Sequence, residues 1–153
     1  MRLVVTGAAG FIGRALVARL MREHASGARP LSALTLLDVA LGDAPAAGFV
    51  RRDAGSIADA ACVARAFASP VDAVVHLASV PGGTAEEQPA LARDVNLHGT
   101  LHLLDAAQAQ VDAGGPTPRF VFASSIAVFG APMPAQVDDA TPARPALTYG
   151  AHK

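Results

Sequence analysis

The stretch Thr6-Gly7-Ala8-Ala9-Gly10-Phe11-Ile12-Gly13 decides the fold class of this chain. An apolar run of strand length, Arg2 to Thr6, precedes it, and the segment that follows, Ile12 to Arg22, has apolar residues four positions apart. Glycines between a strand and a helix permit a tight turn and let the backbone approach a pyrophosphate. Three glycines alone are weak evidence, because glycines also form plain turns. In this context they predict a dinucleotide site, with contacts from Gly7, Gly10, Phe11, Ile12 and Gly13.

Outside this turn, apolar runs of strand length alternate with segments of helical period. The predicted strands are Arg2–Thr6, Ala33–Asp38, Gly48–Arg51, Val71–His76 and Arg119–Ala123. The predicted helices are Ile12–Arg22, Ile57–Ala68 with Ser56 as its cap, and Pro89–Asp112, with Leu97, Leu101 and Leu104 on one stripe. Gly99, inside the longest helix, indicates close backbone packing. This alternation predicts an α/β fold, a Rossmann-like doubly wound parallel sheet, in one domain spanning residues 1–153.

The composition excludes several classes of protein. The chain has 153 residues, 52% hydrophobic and 16% charged, which is enough apolar surface to bury a core. A net charge of -1 without a basic run argues against nucleic acid as a partner. No apolar run reaches the length of a membrane span, and no signal peptide is recognisable at the N-terminus. We therefore expect no membrane partner. A single cysteine, Cys62, cannot form an internal disulfide, which fits a cytoplasmic protein.

The second predicted strand ends in Leu36-Leu37-Asp38, which puts a carboxylate where the adenosine ribose lies in such folds. Asp38 would accept hydrogen bonds from both ribose hydroxyls. A 2′-phosphate would meet this carboxylate with like charge, and no Arg or Lys follows in Val39-Ala40-Leu41. The expected cofactor is therefore NAD rather than NADP. The alternative is that Asp38 only opens the turn toward Gly42.

A second group of polar residues lies near the C-terminus. Tyr149 and Lys153 are four residues apart, so on a helix they share one face. A neighbouring cation favours the phenolate, which can act as a general base. Ser124 and Ser125 follow a predicted strand, at the sheet edge where open α/β sheets bind ligands. Each pattern alone also fits an ordinary helix surface or turn, but their combination with the glycine turn and Asp38 favours catalysis.

Together with His76-Leu77-Ala78-Ser79 and Val95-Asn96-x-x-Gly99-Thr100, these motifs resemble the extended short-chain dehydrogenase/reductases, the NAD-dependent epimerase/dehydratase family. The resemblance covers the whole chain. It implies that Tyr149 is the general base, that Lys153 lowers the pKa of that phenol and binds the nicotinamide ribose, and that Ser125 hydrogen-bonds the reacting oxygen. It also implies further cofactor-binding residues, which are Asp53 and Ala54 beside the adenine, Leu77, Ala78, Ser79 and Asn96.

Within this family, the sequences Arg93 to Thr100, Arg119 to Gly130 and Thr148 to Lys153 are similar to the D-erythronate dehydrogenase branch. That branch oxidises the C2 hydroxyl of a sugar acid to a 2-oxo acid with NAD, so the resemblance implies an oxidoreductase of carbohydrate metabolism. A nucleotide-sugar epimerase or dehydratase would share every motif and is the alternative. A non-catalytic NAD sensor or scaffold, the alternative from another class, would not require Ser125 together with the Tyr-Lys pair.

Other chemistries find little support in the sequence. His98 and His102 share a helix face, but a third ligand and an HExxH pattern are lacking, so no metal site is expected. No Gly-x-Ser-x-Gly elbow surrounds the serine pair, which argues against serine hydrolysis. The family continues beyond the position of Lys153 with a smaller substrate-binding part, so we expect this chain to be truncated and to turn over little by itself. The long helix is a candidate surface for a homodimer.

Overall fold

A computed structural model of the chain describes residues 1–153. Its centre is a five-stranded parallel sheet with the strand order β3-β2-β1-β4-β5. The strands are β1 (Arg2–Thr6), β2 (Ala33–Asp38), β3 (Val50–Ala54), β4 (Ala73–His76) and β5 (Arg119–Phe122). The order reverses between β1 and β4, and open α/β sheets bind ligands outside the carboxyl ends of the strands at such a point. The predicted Rossmann-like fold is confirmed.

Helices connect the strands. They are α1 (Phe11–Ala25), α2 (Ala60–Ala66), α3 (Gly82–Glu87), α4 (Pro89–Ala92), α5 (Gly99–Asp112) and α6 (Thr148–His152). A π-helical segment, Arg93–His98, joins α4 to α5, and a short 3₁₀ helix, Ile126–Val128, follows β5. The predicted long helix from Pro89 to Asp112 is therefore helical throughout, but it changes its winding in the middle. None of the helices is long and apolar enough to cross a membrane.

Both faces of the sheet carry a hydrophobic core, which explains why β1 and β2 are nearly all apolar. One core packs Leu3 and Val5 of β1 against Val17 and Leu20 of α1. The other packs neighbouring strand residues, among them Val4, Leu37 and Val74, against side chains of α2 and α5. Alternate residues of a strand thus pack into the cores on opposite faces of the sheet. This two-sided packing holds the carboxyl ends of β1, β2 and β4 in a fixed arrangement.

Several predicted boundaries were wrong. The third strand is Val50–Ala54 rather than Gly48–Arg51, because β3 lies at the edge of the sheet and can extend Arg51 and Arg52 into solvent. The other three corrections are smaller: α1 runs past Arg22, β4 begins after Val71, and β5 ends before Ala123.

The predicted start of the second helix was also wrong. Helix α2 begins at Ala60, where the carboxylate of Asp59 accepts a hydrogen bond of 2.9 Å from the backbone N–H of Ala61. Ser56 instead accepts from the N–H of Ala58 in the turn before the helix. Serine and aspartate are both good N-caps, and α2 is capped by Asp59.

The long helical segment buries a different face from the one that the leucine stripe suggests. Leu97, Leu101 and Leu104 are 39%, 46% and 44% exposed. The buried residues are Ala92, Asn96, Gly99 and Leu103, which recur once per helical turn. A Cβ on Gly99 would lie 2.6 Å from Cγ1 of Ile57, so the close backbone packing predicted at this glycine is confirmed.

Candidate active site

The glycine turn between β1 and α1 is as compact as its sequence predicts. Gly7 has a φ of +66°, and its carbonyl accepts a hydrogen bond of 3.1 Å from the N–H of Gly10. A Cβ on Gly7 would lie 2.6 Å from the backbone nitrogen of Ala78, and one on Gly13 would overlap the carbonyl oxygen of Gly7. Phe11, which follows the turn, is 88% exposed. The turn therefore requires glycine at positions 7 and 13.

An open groove of about 620 Å³ lies against this turn, at the point where the strand order reverses. It is lined by residues of the turn, of the segments after β2, β3 and β4, and of the long helical segment: Gly7, Ala9, Gly10, Leu37, Asp38, Val39, Ala40, Gly55, Ser56, Ile57, Leu77, Ala78, Ser79, Val80, Leu91 and Val95. Its walls are mostly apolar, and one carboxylate lies among them. These features fit a dinucleotide, which needs close backbone approach at its pyrophosphate and an acceptor at its ribose.

Asp38 is half-buried at the carboxyl end of β2. Its Oδ2 accepts a hydrogen bond of 2.9 Å from the backbone N–H of Ala9, in the glycine turn. Its second carboxylate oxygen has no donor within the chain and is available to a ligand. Asp38 therefore holds the glycine turn against β2 while it lines the groove, and its carboxylate binds Ala9 rather than the residues toward Gly42.

The segment Leu77–Val80 forms one wall of the groove. Hydrogen bonds from side chains outside this segment fix its backbone. The N–H of Ala78 donates to Oγ1 of Thr6 over 3.2 Å. Asn96 binds both backbone groups of Val80: its Oδ1 accepts from the N–H over 2.7 Å, and its Nδ2 donates to the carbonyl over 3.0 Å. Asn96 is only 4% exposed. Its contacts are thus with the wall of the groove.

His76 ends β4 directly before this wall and is buried. Its Nδ1 lies 2.7 Å from Oγ1 of Thr6, and its Nε2 lies 2.8 Å from Oγ1 of Thr100. Burial, and secondarily the positive charge of Lys153, lowers the pKa of His76 from 6.5 to about 4. At neutral pH the imidazole is therefore uncharged, as expected for a packed, hydrogen-bonded histidine.

The Tyr-Lys pair and the serine pair meet at the carboxyl end of β5. The ammonium of Lys153 donates to the carbonyl of Ala123 over 2.8 Å and lies 5.8 Å from the centre of the Tyr149 ring. Burial lowers the pKa of this ammonium. Ser125 accepts a hydrogen bond of 3.2 Å from the N–H of Ala127, at the start of the 3₁₀ helix. This leaves the hydroxyl hydrogen of Ser125 free to donate.

Glycines and one carboxylate fix the position of Tyr149. The backbone of Gly150 packs against that of Ala127 so closely that a Cβ on Gly150 would overlap the carbonyl oxygen of Ala127. This contact sets α6 directly on the 3₁₀ helix that Ser125 caps. On the other side, Gly82 lies against the phenol ring, where a Cβ would be 3.7 Å from Cδ1 of Tyr149. The carboxylate of Glu86 accepts a hydrogen bond of 3.1 Å from the N–H of Tyr149.

The structure thus brings most of the predicted site residues to one edge of the sheet, in two groups. Gly7, Gly10, Asp38, Leu77, Ala78 and Ser79 line the groove, and Ser125, Tyr149 and Lys153 lie at the end of β5. Asp53 and Ala54 lie at the end of β3 outside the groove lining, and both carboxylate oxygens of Asp53 bind the guanidinium of Arg51. The sequence missed the contributions of Thr6, Glu86 and Thr100, whose partners are distant in the chain.

Comparisons with known proteins agree with this geometry. The family model for the NAD dependent epimerase/dehydratase family matches residues 3–153. The chain is 35% identical to D-erythronate dehydrogenase of Cupriavidus necator, over all of the chain and 47% of that enzyme. A nucleoside-diphosphate-sugar epimerase from Agrobacterium tumefaciens superposes with a TM-score of 0.87 and 35% identity, over 99% of the chain and 45% of its own.

A third similarity concerns the cofactor. The UDP-glucose 4-epimerase of Thermus thermophilus, solved in complex with NAD, superposes with a TM-score of 0.79 and 32% identity, over the whole chain and 47% of its own. The chain therefore spans about half the length of the proteins that it matches. The family and the cofactor predicted from the motifs are confirmed: the chain belongs to the NAD dependent epimerase/dehydratase family.

Proposed function

We propose that this chain supplies the cofactor groove and the catalytic residues of an NAD-dependent dehydrogenase that oxidises the C2 hydroxyl of a sugar acid to a 2-oxo acid. The observation that carries the proposal is the arrangement at the end of β5, where Lys153 is anchored one helical turn from Tyr149 and α6 packs on the helix that Ser125 caps. The similarity to D-erythronate dehydrogenase over the whole chain supports the substrate class.

In this proposal Tyr149 accepts the proton of the substrate hydroxyl. The ammonium of Lys153 lies beside this base, 5.8 Å from the centre of its ring. Its hydrogen bond to the carbonyl of Ala123 keeps the charge in place. Glu86 binds the backbone of Tyr149 rather than its phenol, so it orients the helix that carries the base.

Ser125 donates its free hydroxyl hydrogen to the oxygen that is being oxidised. This contact places the substrate oxygen between the serine and the phenolate, so that the proton leaves toward Tyr149 as the C2–H bond breaks. The two electrons of that bond leave with the hydrogen as hydride, and the alcohol becomes a ketone. When bound, NAD supplies the nicotinamide ring that accepts the hydride.

The conversion of a nucleotide-linked sugar is the second candidate. It is supported by the similarity to the Agrobacterium and Thermus epimerases, which equals or approaches the similarity to the sugar-acid dehydrogenase. Both reactions can use the same base and the same cofactor. They differ in the net change of NAD, since an epimerase or a dehydratase returns its cofactor to the starting state and a dehydrogenase does not.

In the decisive experiment, the native, full-length protein is incubated with NAD and with either D-erythronate or UDP-glucose. We expect NADH absorbance to rise in proportion to the D-erythronate consumed, and no NADH to accumulate with UDP-glucose. Conversion of UDP-glucose without net NADH, together with inert D-erythronate, would favour the second candidate. Binding of NAD without turnover of any sugar acid or nucleotide sugar would favour a non-catalytic sensor.

A further inference from the structure

Buried His76 joins β1 to the long helical segment through hydrogen bonds with Thr6 and Thr100. It ends β4 beside the strand-order reversal and is 1% exposed. Phe120 and Phe122 enclose its ring, with centroids at 6.1 and 5.5 Å. A side chain so enclosed cannot touch substrate or cofactor, and its effect must pass through its two hydrogen-bond partners.

These hydrogen bonds form a chain, and the groups at its two ends determine which partner donates in each bond. The hydroxyl of Thr100 donates to the carbonyl of Asn96 over 2.7 Å, because a carbonyl can only accept. The oxygen of Thr100 therefore accepts from Nε2–H of His76, 2.8 Å away. A neutral imidazole with its proton on Nε2 has a bare Nδ1, which accepts from the hydroxyl of Thr6. The oxygen of Thr6 is then free to accept from the N–H of Ala78.

The opposite arrangements leave groups without partners. A proton on Nδ1 would point at Thr6, whose hydroxyl hydrogen would then lose its acceptor. Without a proton on Nε2, the ring nitrogen would face the oxygen of Thr100, whose hydrogen is already given to Asn96. An unmade hydrogen bond is costly at a site this deeply buried. One tautomer satisfies every member of the network.

This network supports the groove at two points. Through Thr6 it reaches the backbone of Ala78, and through Thr100 it reaches Asn96, whose amide holds both backbone groups of Val80. Ala78 and Val80 both line the cofactor groove. The Leu77–Val80 wall is thus tied to β1 on one side and to the π-helical segment on the other.

We propose that His76, as a neutral imidazole protonated at Nε2, is a positioning residue that sets the Leu77–Val80 wall against the bound cofactor. The inference rests on the proposed function, since it assigns His76 to the cofactor groove of that enzyme. If so, a hydrogen-bond partner of His76 should affect NAD affinity even though it does not contact NAD. Thr100 is such a partner, because it does not line the groove.

The test combines two measurements on the same protein. Nitrogen-15 NMR of the wild type at neutral pH reads which ring nitrogen of His76 carries the proton, and titration calorimetry reads NAD affinity. Thr100→Val keeps the shape of the side chain but removes its hydroxyl, and we expect it to weaken NAD binding about tenfold. Thr100→Ser restores the hydroxyl and should bind within about twofold of the wild type. Thr35→Val, at a buried threonine of β2 outside the network, is the matched control and should bind normally.

A proton on Nδ1, or normal NAD affinity in Thr100→Val, would overturn the role of His76. The NMR measurement uses the wild type, so it decides the tautomer even if Thr100→Val fails to fold. Equal weakening by Thr100→Val and Thr35→Val would also count against the proposal, since it would indicate a general loss of packing. Sugar-acid oxidation is not among these readouts, so its absence would contradict the proposed function alone.

Discussion

Among the single residues, Asp38 both holds the glycine turn and lines the proposed cofactor groove. One of its oxygens fixes the glycine turn through the N–H of Ala9, and the other is open to the groove. The turn thereby acquires a charged neighbour that favours a ribose hydroxyl and disfavours a 2′-phosphate. Selectivity between the two nicotinamide cofactors should accordingly depend on this carboxylate.

We expect Asp38→Ala to weaken NAD binding about tenfold, because it removes an acceptor for the ribose and a tether of the turn. NADP binding should weaken less, or improve, because the like charge opposite its phosphate is gone. Calorimetric titration with both cofactors gives the ratio of the two affinities. Asp139→Ala, at an exposed carboxylate outside the groove, serves as the control. An unchanged ratio in Asp38→Ala would show that this carboxylate does not select between the two cofactors.

Residues whose chemistry depends on local spacing could be predicted, and those that depend on distant partners could not. Gly7, Asp38 and Lys153 each occur in a short pattern with a physical reason for its spacing. The pairs that escaped prediction join positions far apart in the chain, such as Thr6 with His76 and Glu86 with Tyr149. No local pattern marks a threonine or glutamate as the partner of a residue more than sixty positions away.

Among the secondary-structure elements, the five strands and the three long helical segments were predictable, but several of their ends and the short helix α3 were not. Ser56 is the cap predicted for α2, but Asp59, three residues later and an equally good N-cap, begins the helix instead. The charged pair Arg51-Arg52 looks like the end of a strand, yet β3 continues because it lies at the sheet edge. In both cases the position of the residues in the folded chain, and not their local sequence preference, determined where the element begins or ends.

Helix α5 contacts the segment before α2 where Gly99 meets Ile57. Gly99→Ala should destabilise the protein by about 1 to 3 kcal/mol, because the added methyl meets the buried side chain of Ile57. Alanine is otherwise the better helix former, so a stabilised variant would contradict the packing described. Urea unfolding measures the change, with Gly48→Ala, at a glycine without close neighbours, as the control.

The overlap with Ile57 can be tested separately. Removing the side chain in Ile57→Ala makes room for the new methyl group, so the double variant should lose less stability than the sum of the two single losses. Purely additive losses would show that the cost of Gly99→Ala arises elsewhere.

At the scale of the whole molecule, alternation of strand and helix was enough to predict a two-sided parallel sheet. Its long helical segment leaves Leu97, Leu101 and Leu104 exposed on one stripe. A homodimer through this surface and a cytoplasmic location stay predictions. The sequence could not have shown which face of the segment is buried, because the π-helical turn changes the register between α4 and α5.

Acid should weaken the whole fold through His76. The folded chain holds this pKa at about 4, whereas the unfolded imidazole titrates near 6.5, so between these values the unfolded state binds more protons. Stability therefore falls as the pH drops below about 6.5, and the loss between pH 7 and pH 5 is about 2 kcal/mol. Urea unfolding of the wild type and His76→Gln at both pH values measures it. Between pH 7 and pH 5, His76→Gln should lose about 2 kcal/mol less stability than the wild type. An equal loss in both proteins would show that His76 is not the cause.

Tyr149→Phe in the native protein tests whether Tyr149 is the base of an NAD-dependent oxidation. NAD affinity and NADH formation from D-erythronate are measured on the same preparation. Removing one phenolic oxygen should lower the rate of NADH formation by about a hundredfold or more, while NAD affinity changes little, because the ring and the groove are intact. NADH formation at the wild-type rate would show that Tyr149 is not the base.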